Sequence, residues 1–414
     1  MRPSPDSPAA APLHADRVAH ALDSRAAWLV IVAGVVAALH VGKLPPGIPI
    51  LRAELGLTLV QAGFLLSVMQ VAGMLLGALA GLLADRMGLR RTMLLGLGLL
   101  ALGCALGAMA SRVSLLLAAR MLEGIGLLLA VLPAPGLIRR LVQGPQAPQA
   151  LSRLLGAWGA YMPTGAATAM LLGPGLYAAL GWRWAWLLLS GLTLCWAVVV
   201  WLKVPPDPAR STALPGPGWG GRLRQTLSSS GPWLVALAFC VYSGQWLAVV
   251  GFLPTIQTQA GWSLGVAGVL SAAAAGANAI GNLAAGRLLA RHWPPGHLLA
   301  IGYGAMGLAC WIAFSGLVGP VGQFIAVLVF SSVGGLIPGT LFSLAVRLAP
   351  SGHTVSTTVG WVQQLSSLGQ FAGPPVVAWL VARQGGDWSP AWWFTAFCCA
   401  IGLGLAFLLQ RRLY

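Results

Sequence analysis

Charge is what this chain has least of. Only 8% of its 414 residues are charged, and only eight are acidic, whereas a soluble domain carries roughly 25% charged residues. A water-exposed surface cannot be assembled from so little charge, which excludes a soluble globular enzyme. Lysine is scarcer still. Lys43 and Lys203 are the only two, followed by Leu44 and Val204. The Gly-x-x-x-x-Gly-Lys-Ser/Thr nucleotide loop is therefore missing, and an ATP-driven pump is excluded with it. The six cysteines (Cys104, Cys195, Cys240, Cys310, Cys398 and Cys399) all fall in apolar runs, without disulfide or metal spacing. Histidine clusters and paired carboxylates are also lacking, so neither a membrane enzyme nor a resident metal or cofactor is expected.

What remains is apolar: 57% of the residues are hydrophobic. Windows long enough to cross a bilayer, ~20 residues each, recur near 28–50, 60–83, 92–110, 114–138, 154–179, 184–202, 232–254, 264–287, 297–317, 321–346, 355–381 and 390–409. In lipid the backbone must satisfy its own polar groups, so these windows predict helices. The reading is an all-α membrane protein of twelve transmembrane helices.

The net charge of +16 invites a nucleic-acid reading, but its distribution points elsewhere. With the N-terminus inside, 18 of the 24 basic residues fall on the cytoplasmic side. Only Arg52, Arg112, Arg183 and Arg383 lie outside, while Lys43 and Arg120 fall within spans. Such a bias fixes both termini in the cytoplasm. The positive charge reports topology, and no nucleic-acid partner is expected. Residues 1–25 are Pro/Ala-rich and polar, lack the layout of a signal peptide, and are expected to form a disordered cytoplasmic tail.

The chain repeats itself. At an offset of 205, Pro49 matches Pro254, Gly56 matches Gly261, Leu59 matches Leu264, and Ala62-Gly63 matches Ala267-Gly268. Gly81 matches Gly286 and Arg86 matches Arg291. Internal repeats of this size mark secondary transporters, whose solute site lies between the repeats. The polar stretch 204–231 then reads as a cytoplasmic linker between two six-helix bundles, 26–203 and 232–414.

Between the second and third spans runs Gly81-Leu-Leu-Ala-Asp85-Arg86-Met-Gly88-Leu-Arg90-Arg91. This loop resembles the helix 2–3 motif of the major facilitator superfamily, Gly-x-Leu-x-Asp-Arg-x-Gly-x-Arg-Arg. The resemblance implies two pseudo-symmetric bundles and a gating role for Gly81, Asp85, Arg86, Gly88, Arg90 and Arg91. Asp85 would latch onto the second half near His353-Thr354, a charge–dipole contact of ~1 kcal/mol. The second copy has Ala290 where Asp85 sits, so its latch would be weaker. The alternative is that these basic residues only hold topology.

Ionisable groups within spans are the candidate solute site, because they are costly in lipid and normally face a cavity or one another. His40 and Lys43 lie three apart in the first span, and Arg120 and Glu123 three apart in the fourth, so each pair shares a helix face. The first and fourth spans line the central cavity in the superfamily. Two cations and one carboxylate leave a net positive site that favours an anion, with Glu123, and then His40, as proton carrier. The structural alternatives are an ion pair holding helix packing, a snorkelling Lys43 and a neutral packed His40. Tyr242, Gln245 and Trp246 on the seventh span add candidate solute contacts. Gln363, Ser366, Ser367 and Gln370 on the eleventh read as an interhelical seam.

Further elements are similar to the cyanate/nitroimidazole permease branch. They are Pro49, Leu253-Pro254, Gly124-x-Gly126 through Pro133 to Arg139-Arg140, Gly334-Gly335-x-x-Pro338, and Gln363 through Gly373-Pro374. One departure is His40-x-x-Lys43, where that branch implies an Arg-Pro nearer the start of the first helix. The resemblance implies a monomeric transporter of the bacterial inner membrane, importing a small polar or anionic solute, with proton coupling. A drug/proton antiporter is the alternative. Gly159-x-x-x-Pro163-Thr164-Gly165 partly matches the element such exporters carry in helix 5, but the acidic residue common early in their helix 1 is absent.

Overall fold

The computed structural model describes residues 24–77, 87–142, 147–207 and 218–413. Eleven helices among them are long and apolar enough to cross a membrane. They are α1 (Arg25–Leu55), α2 (Leu59–Gly77), α3 (Leu89–Ala108), α4 (Val113–Leu141), α5 (Tyr161–Lys203), α6 (Ser230–Gln259), α7 (Leu264–Ala290), α8 (Pro295–Phe314), α9 (Pro320–Arg347), α10 (Gly352–Arg383) and α11 (Ala391–Leu413). Shorter helices, Ala147–Gly159 and Trp219–Leu227, precede α5 and α6. No strand occurs among the described residues.

The fifth and sixth predicted spans run together as α5, 43 residues long. Gly181 breaks it with φ 75° and ψ 158°, a conformation that a residue without a Cβ reaches at little cost. A single glycine therefore turns the chain between two arms where the sequence predicts a loop.

Helix starts repeat with the sequence. Gly56 and Gly261 both take positive φ, 66° and 91°, and end α1 and α6. Thr58 then accepts a hydrogen bond from the Gln61 amide at 3.1 Å, as Ser263 does from the Val266 amide at 3.3 Å. Each satisfies an amide that the first helical turn leaves open.

The two halves pack closely at the end of the bundle opposite the chain termini. A Cβ added at Gly63 would lie 2.9 Å from the Pro374 carbonyl oxygen, and one at Gly268 would lie 2.8 Å from that of Met170. Small residues permit such approach, and dispersion rewards it where lipid offers no hydrophobic drive. One apolar cluster spans both halves there, joining Leu44, Ile48 and Leu51 of α1 to Phe252, Leu253 and Ile256 of α6. Nearer the termini, Gln364 of α10 donates to the Met74 carbonyl of α2 at 2.7 Å.

Candidate functional site

Glu123 is the centre of a buried ionic cluster inside the first half. Lys43 Nζ lies 2.8 Å from its Oε1, and Arg120 Nη1 2.6 Å from its Oε2. His40 Nδ1 is 3.5 Å from Oε2. All four side chains are buried. Lys43 Nζ also donates to Cys104 Sγ on α3 at 2.9 Å and sits 3.8 Å from the centroid of the Trp186 ring on α5. His40 Nε2 pairs with Thr193 Oγ1 at 2.8 Å. Space for the carboxylate comes from Gly103, where a Cβ would approach Glu123 Cγ to 2.8 Å.

The backbone of α1 is tied into the same cluster. Its helix is interrupted at Lys43, just before Pro45 and Pro46. Neither proline can donate to the carbonyl one turn earlier. Arg120 Nη1 donates to the His40 carbonyl at 2.8 Å, and the Tyr177 hydroxyl to the Lys43 carbonyl at 2.5 Å. His40, Cys104 and Glu123 also present donor atoms within 4.8 Å of one another. Both carboxylate oxygens already face cationic nitrogens, so the group reads as an ion cluster rather than a metal cage.

The repeat supplies an internal comparison. With the offset of 205 in the first helix of each half, His40 corresponds to Gln245, Lys43 to Ala248 and Glu54 to Gln259. At 206, Cys104 corresponds to Cys310, Trp182 to Trp388, Trp186 to Trp392 and Thr193 to Cys399. The contacts correspond too. Trp182 Nε1 donates to Glu54 Oε2 at 2.6 Å, and Trp388 Nε1 to Gln259 Oε1 at 2.6 Å. The His40–Thr193 pair is matched by Cys399 Sγ donating to Gln245 Oε1 at 3.3 Å. Yet α9 carries no charged residue before Arg347, and Ala248 replaces Lys43. The second half builds the corresponding helix packing without ions. Buried ion pairs contribute little net stability against apolar packing, so packing alone does not call for the cluster.

The structure does not bring Tyr242, Gln245 and Trp246 to this cluster. Gln245 pairs with Cys399, and Tyr242 and Trp246 join a separate network inside the second half. The Tyr242 hydroxyl accepts from Asn278 Nδ2 at 2.8 Å, and Trp246 Nε1 donates to Ser331 Oγ at 3.0 Å. Trp246 also packs with Met170 of α5 and Ala272 of α7, where the halves meet. Beside that contact runs a groove of about 370 Å³ whose lining includes Pro163, Thr164, Ala167, Ala272 and Gly276. In the predicted seam, Ser243 donates to the Ser366 carbonyl at 2.8 Å.

Of the gating residues, Gly81, Asp85 and Arg86 lie outside the described residues. Gly88, Arg90 and Arg91 open α3, and their partner is Asp207, which the sequence reading did not single out. The Asp207 carboxylate accepts from the Arg90 and Arg91 amides at 3.0 and 3.1 Å and pairs with Arg140 Nη1 at 2.5 Å. An acid here complements the positive end of the α3 dipole. Gly88 has φ 96°, and any side chain on it would strike the carboxylate. Burial alone would push the Asp207 carboxyl up. The two amides and the guanidinium outweigh that effect and hold it below the ordinary aspartate range. Its sequence signal was scarcity, as one of only eight acids, directly after the sixth span.

The family model described as Major Facilitator Superfamily matches residues 30–374, with a further match over 234–413. The chain is 26% identical to the 2-nitroimidazole transporter of Escherichia coli (strain K12) over 371 residues, which is 83% of this chain and 84% of the relative. Its fold is similar to that of a bacterial homologue of the human lysosomal transporter Spinster, solved inward-facing and unoccupied. The TM-score is 0.73 at 17% identity, covering 94% of this chain and 97% of that one. The inward-facing, occupied form of that homologue gives 0.71 at 16% identity, with the same 94% and 97% coverage.

Proposed function

This chain belongs to the Major Facilitator Superfamily, and on that premise we propose that it imports a small anionic or polar organic solute with a proton. Gly181 divides α5 into two crossings, making twelve in two six-helix bundles. The basic loops hold both termini in the cytoplasm of a bacterium. The chain works as a monomer in the inner membrane by alternating access, with the tight end of the bundle facing outward. Residues 204–231 link the bundles.

The observation that carries this reading is the Lys43–Glu123–Arg120 cluster, placed where the second half has only uncharged side chains. Glu123 acts as an internal stand-in for the solute. With the carboxylate ionised, it occupies both cations. Protonating it leaves Lys43 and Arg120 unpaired in a low-dielectric interior, a state that an incoming anion relieves. Proton and anion are thereby loaded together. His40, beside the same oxygen, takes part in the proton exchange. On the solute path, Trp246 and Tyr242 with Gln245 supply the wall from the second half, and the Gly81–Arg91 loop gates the cytoplasmic end.

A second reading, a drug/proton antiporter exporting small hydrophobic compounds, draws on the apolar groove beside Pro163 and Thr164. The two readings divide in proteoliposomes loaded with the purified protein. Uptake of small carboxylates driven by an inward proton gradient supports the first. Proton-driven movement of neutral nitroaromatics, with carboxylates ignored, supports the second.

A further inference from the structure

The cluster and the interruption of α1 share atoms. Arg120 Nη1 contacts the Glu123 carboxylate at 2.6 Å and the His40 carbonyl at 2.8 Å, so one nitrogen serves both the charge centre and the α1 backbone. Lys43 is held twice as well, by its ammonium on Glu123 and by its carbonyl on Tyr177. From these anchors onward runs Gly42-Lys43-Leu44-Pro45-Pro46-Gly47. Here two prolines leave the carbonyls of Val41 and Gly42 without their helical donors. Helices bend at such points. A side chain at Gly42 would run into the Ala166 backbone, so α1 is close against α5 just before the break. Beyond it, the arm Leu44–Leu55 buries Leu44, Ile48 and Leu51 against α6 of the other half.

We propose that Gly42–Gly47 is a hinge clamped by the ionic cluster, so that releasing Glu123 from Lys43 and Arg120 frees the arm Leu44–Leu55 to move against α6. The geometry turns a change of charge into a change of backbone support. When Glu123 no longer holds Arg120 Nη1, the donor to the His40 carbonyl is free to reorient, and the Lys43 side chain ceases to pin the bend. The same movement opens a route to a cluster that is otherwise sealed, with Lys43 only 4% exposed. The ionisable groups facing Glu123 are His40 and Lys43 from α1, Cys104 from α3, Arg120 from α4 and Tyr177 from the first arm of α5. The inference rests on the cluster being the site that binds proton and solute.

The test is double electron–electron resonance on the full chain in lipid nanodiscs. Spin labels replace Ala53, near the end of the arm, and Ala260, just past α6, with the exposed Cys195→Ser. Between about pH 8 and about pH 4, the lower end reaching the ordinary glutamate range, the distance distribution should shift or gain a second peak. Glu123→Gln should give the acid distribution already at the higher pH. The pair Pro45→Ala and Pro46→Ala restores two backbone donors and should narrow the distribution and remove its pH response. A wild-type distribution indifferent to pH, or a folded, monodisperse Glu123→Gln protein with the wild-type distribution at both pH values, overturns the hinge. So does a proline-pair variant that responds as the wild type does. Transport assays separate the two ideas. If the distance moves while Glu123→Gln keeps the wild-type pH profile of uptake, the hinge stands and proton coupling through Glu123 falls. If uptake loses its pH profile and the distance does not move, the hinge falls alone.

Discussion

Lys43 and Glu123, eighty positions apart in the chain, meet at 2.8 Å inside the first half, and among the described residues Glu123 is the only acid paired with either buried cation there. Two cations share one carboxylate, so the three groups differ in what their loss leaves behind. That asymmetry makes the cluster testable by stability as well as by transport.

Glu123→Gln leaves Lys43 and Arg120 buried without a counter-ion and should cost about 3–5 kcal/mol. Lys43→Met leaves the Arg120–Glu123 pair intact and neutral and should cost clearly less. Thermal unfolding in one detergent, followed for both variants, gives the order. Equal losses would mean that the three groups do not share charge as the distances indicate.

A small anion such as formate should raise the unfolding temperature of the Glu123→Gln protein more than that of the wild type, since it supplies the missing charge. An equal shift in both would place anion binding elsewhere.

Asp207→Asn removes the charge at the start of α3 and should destabilise by about 1 kcal/mol. The carboxyl of Asp207 is held below the ordinary aspartate range. Its contribution is therefore fully present above that range and is lost as pH falls through its lower folded-state value. An unfolding series in acid should show a stability slope that Asp207→Asn flattens. An unchanged slope would remove the link.

Gly88→Ala forces a Cβ into positive φ and against Asp207, with a backbone cost of about 1–2 kcal/mol before the clash. Combined with Asp207→Asn, the two losses should fall short of their sum, because both act on the same cap. Additivity would show that they act apart.

Topology has its own check. A membrane-impermeant thiol reagent added to intact cells should label Ser111→Cys, between α3 and α4, and leave Ser228→Cys, just before α6, unlabelled until the cells are opened. The reverse pattern would invert the reading of the basic loops.

Much of this was legible because lipid narrows the choices. Apolar windows of spanning length have little option but helix, and the 205-residue offset that pairs Gly56 with Gly261 also runs through the caps at Thr58 and Ser263, which only the structure shows. His40, Lys43, Arg120 and Glu123 stood out because charge inside a span must find a partner. Of their partners, only the Arg120–Glu123 pair was legible, from its spacing of three. Cys104, Tyr177, Trp186 and Thr193 reach the cluster from helices whose packing angles no local pattern encodes. Tyr242 and Trp246 sit instead in a separate network, since Asn278 and Ser331 lie within reach of them in the second half, and Gln245 meets Cys399. The break between the fifth and sixth spans was legible, but not that Gly181 alone would make it, because hydropathy does not tell a one-residue turn from a loop.

The most direct test of the account is the pH profile of solute uptake into proteoliposomes under a fixed gradient, with wild type and Glu123→Gln at equal reconstituted amounts. The account predicts that wild-type uptake of a small carboxylate rises as the outside is acidified, and that Glu123→Gln loses this dependence. A Glu123→Gln protein that keeps the wild-type profile would contradict it, and would leave the cluster as helix packing alone.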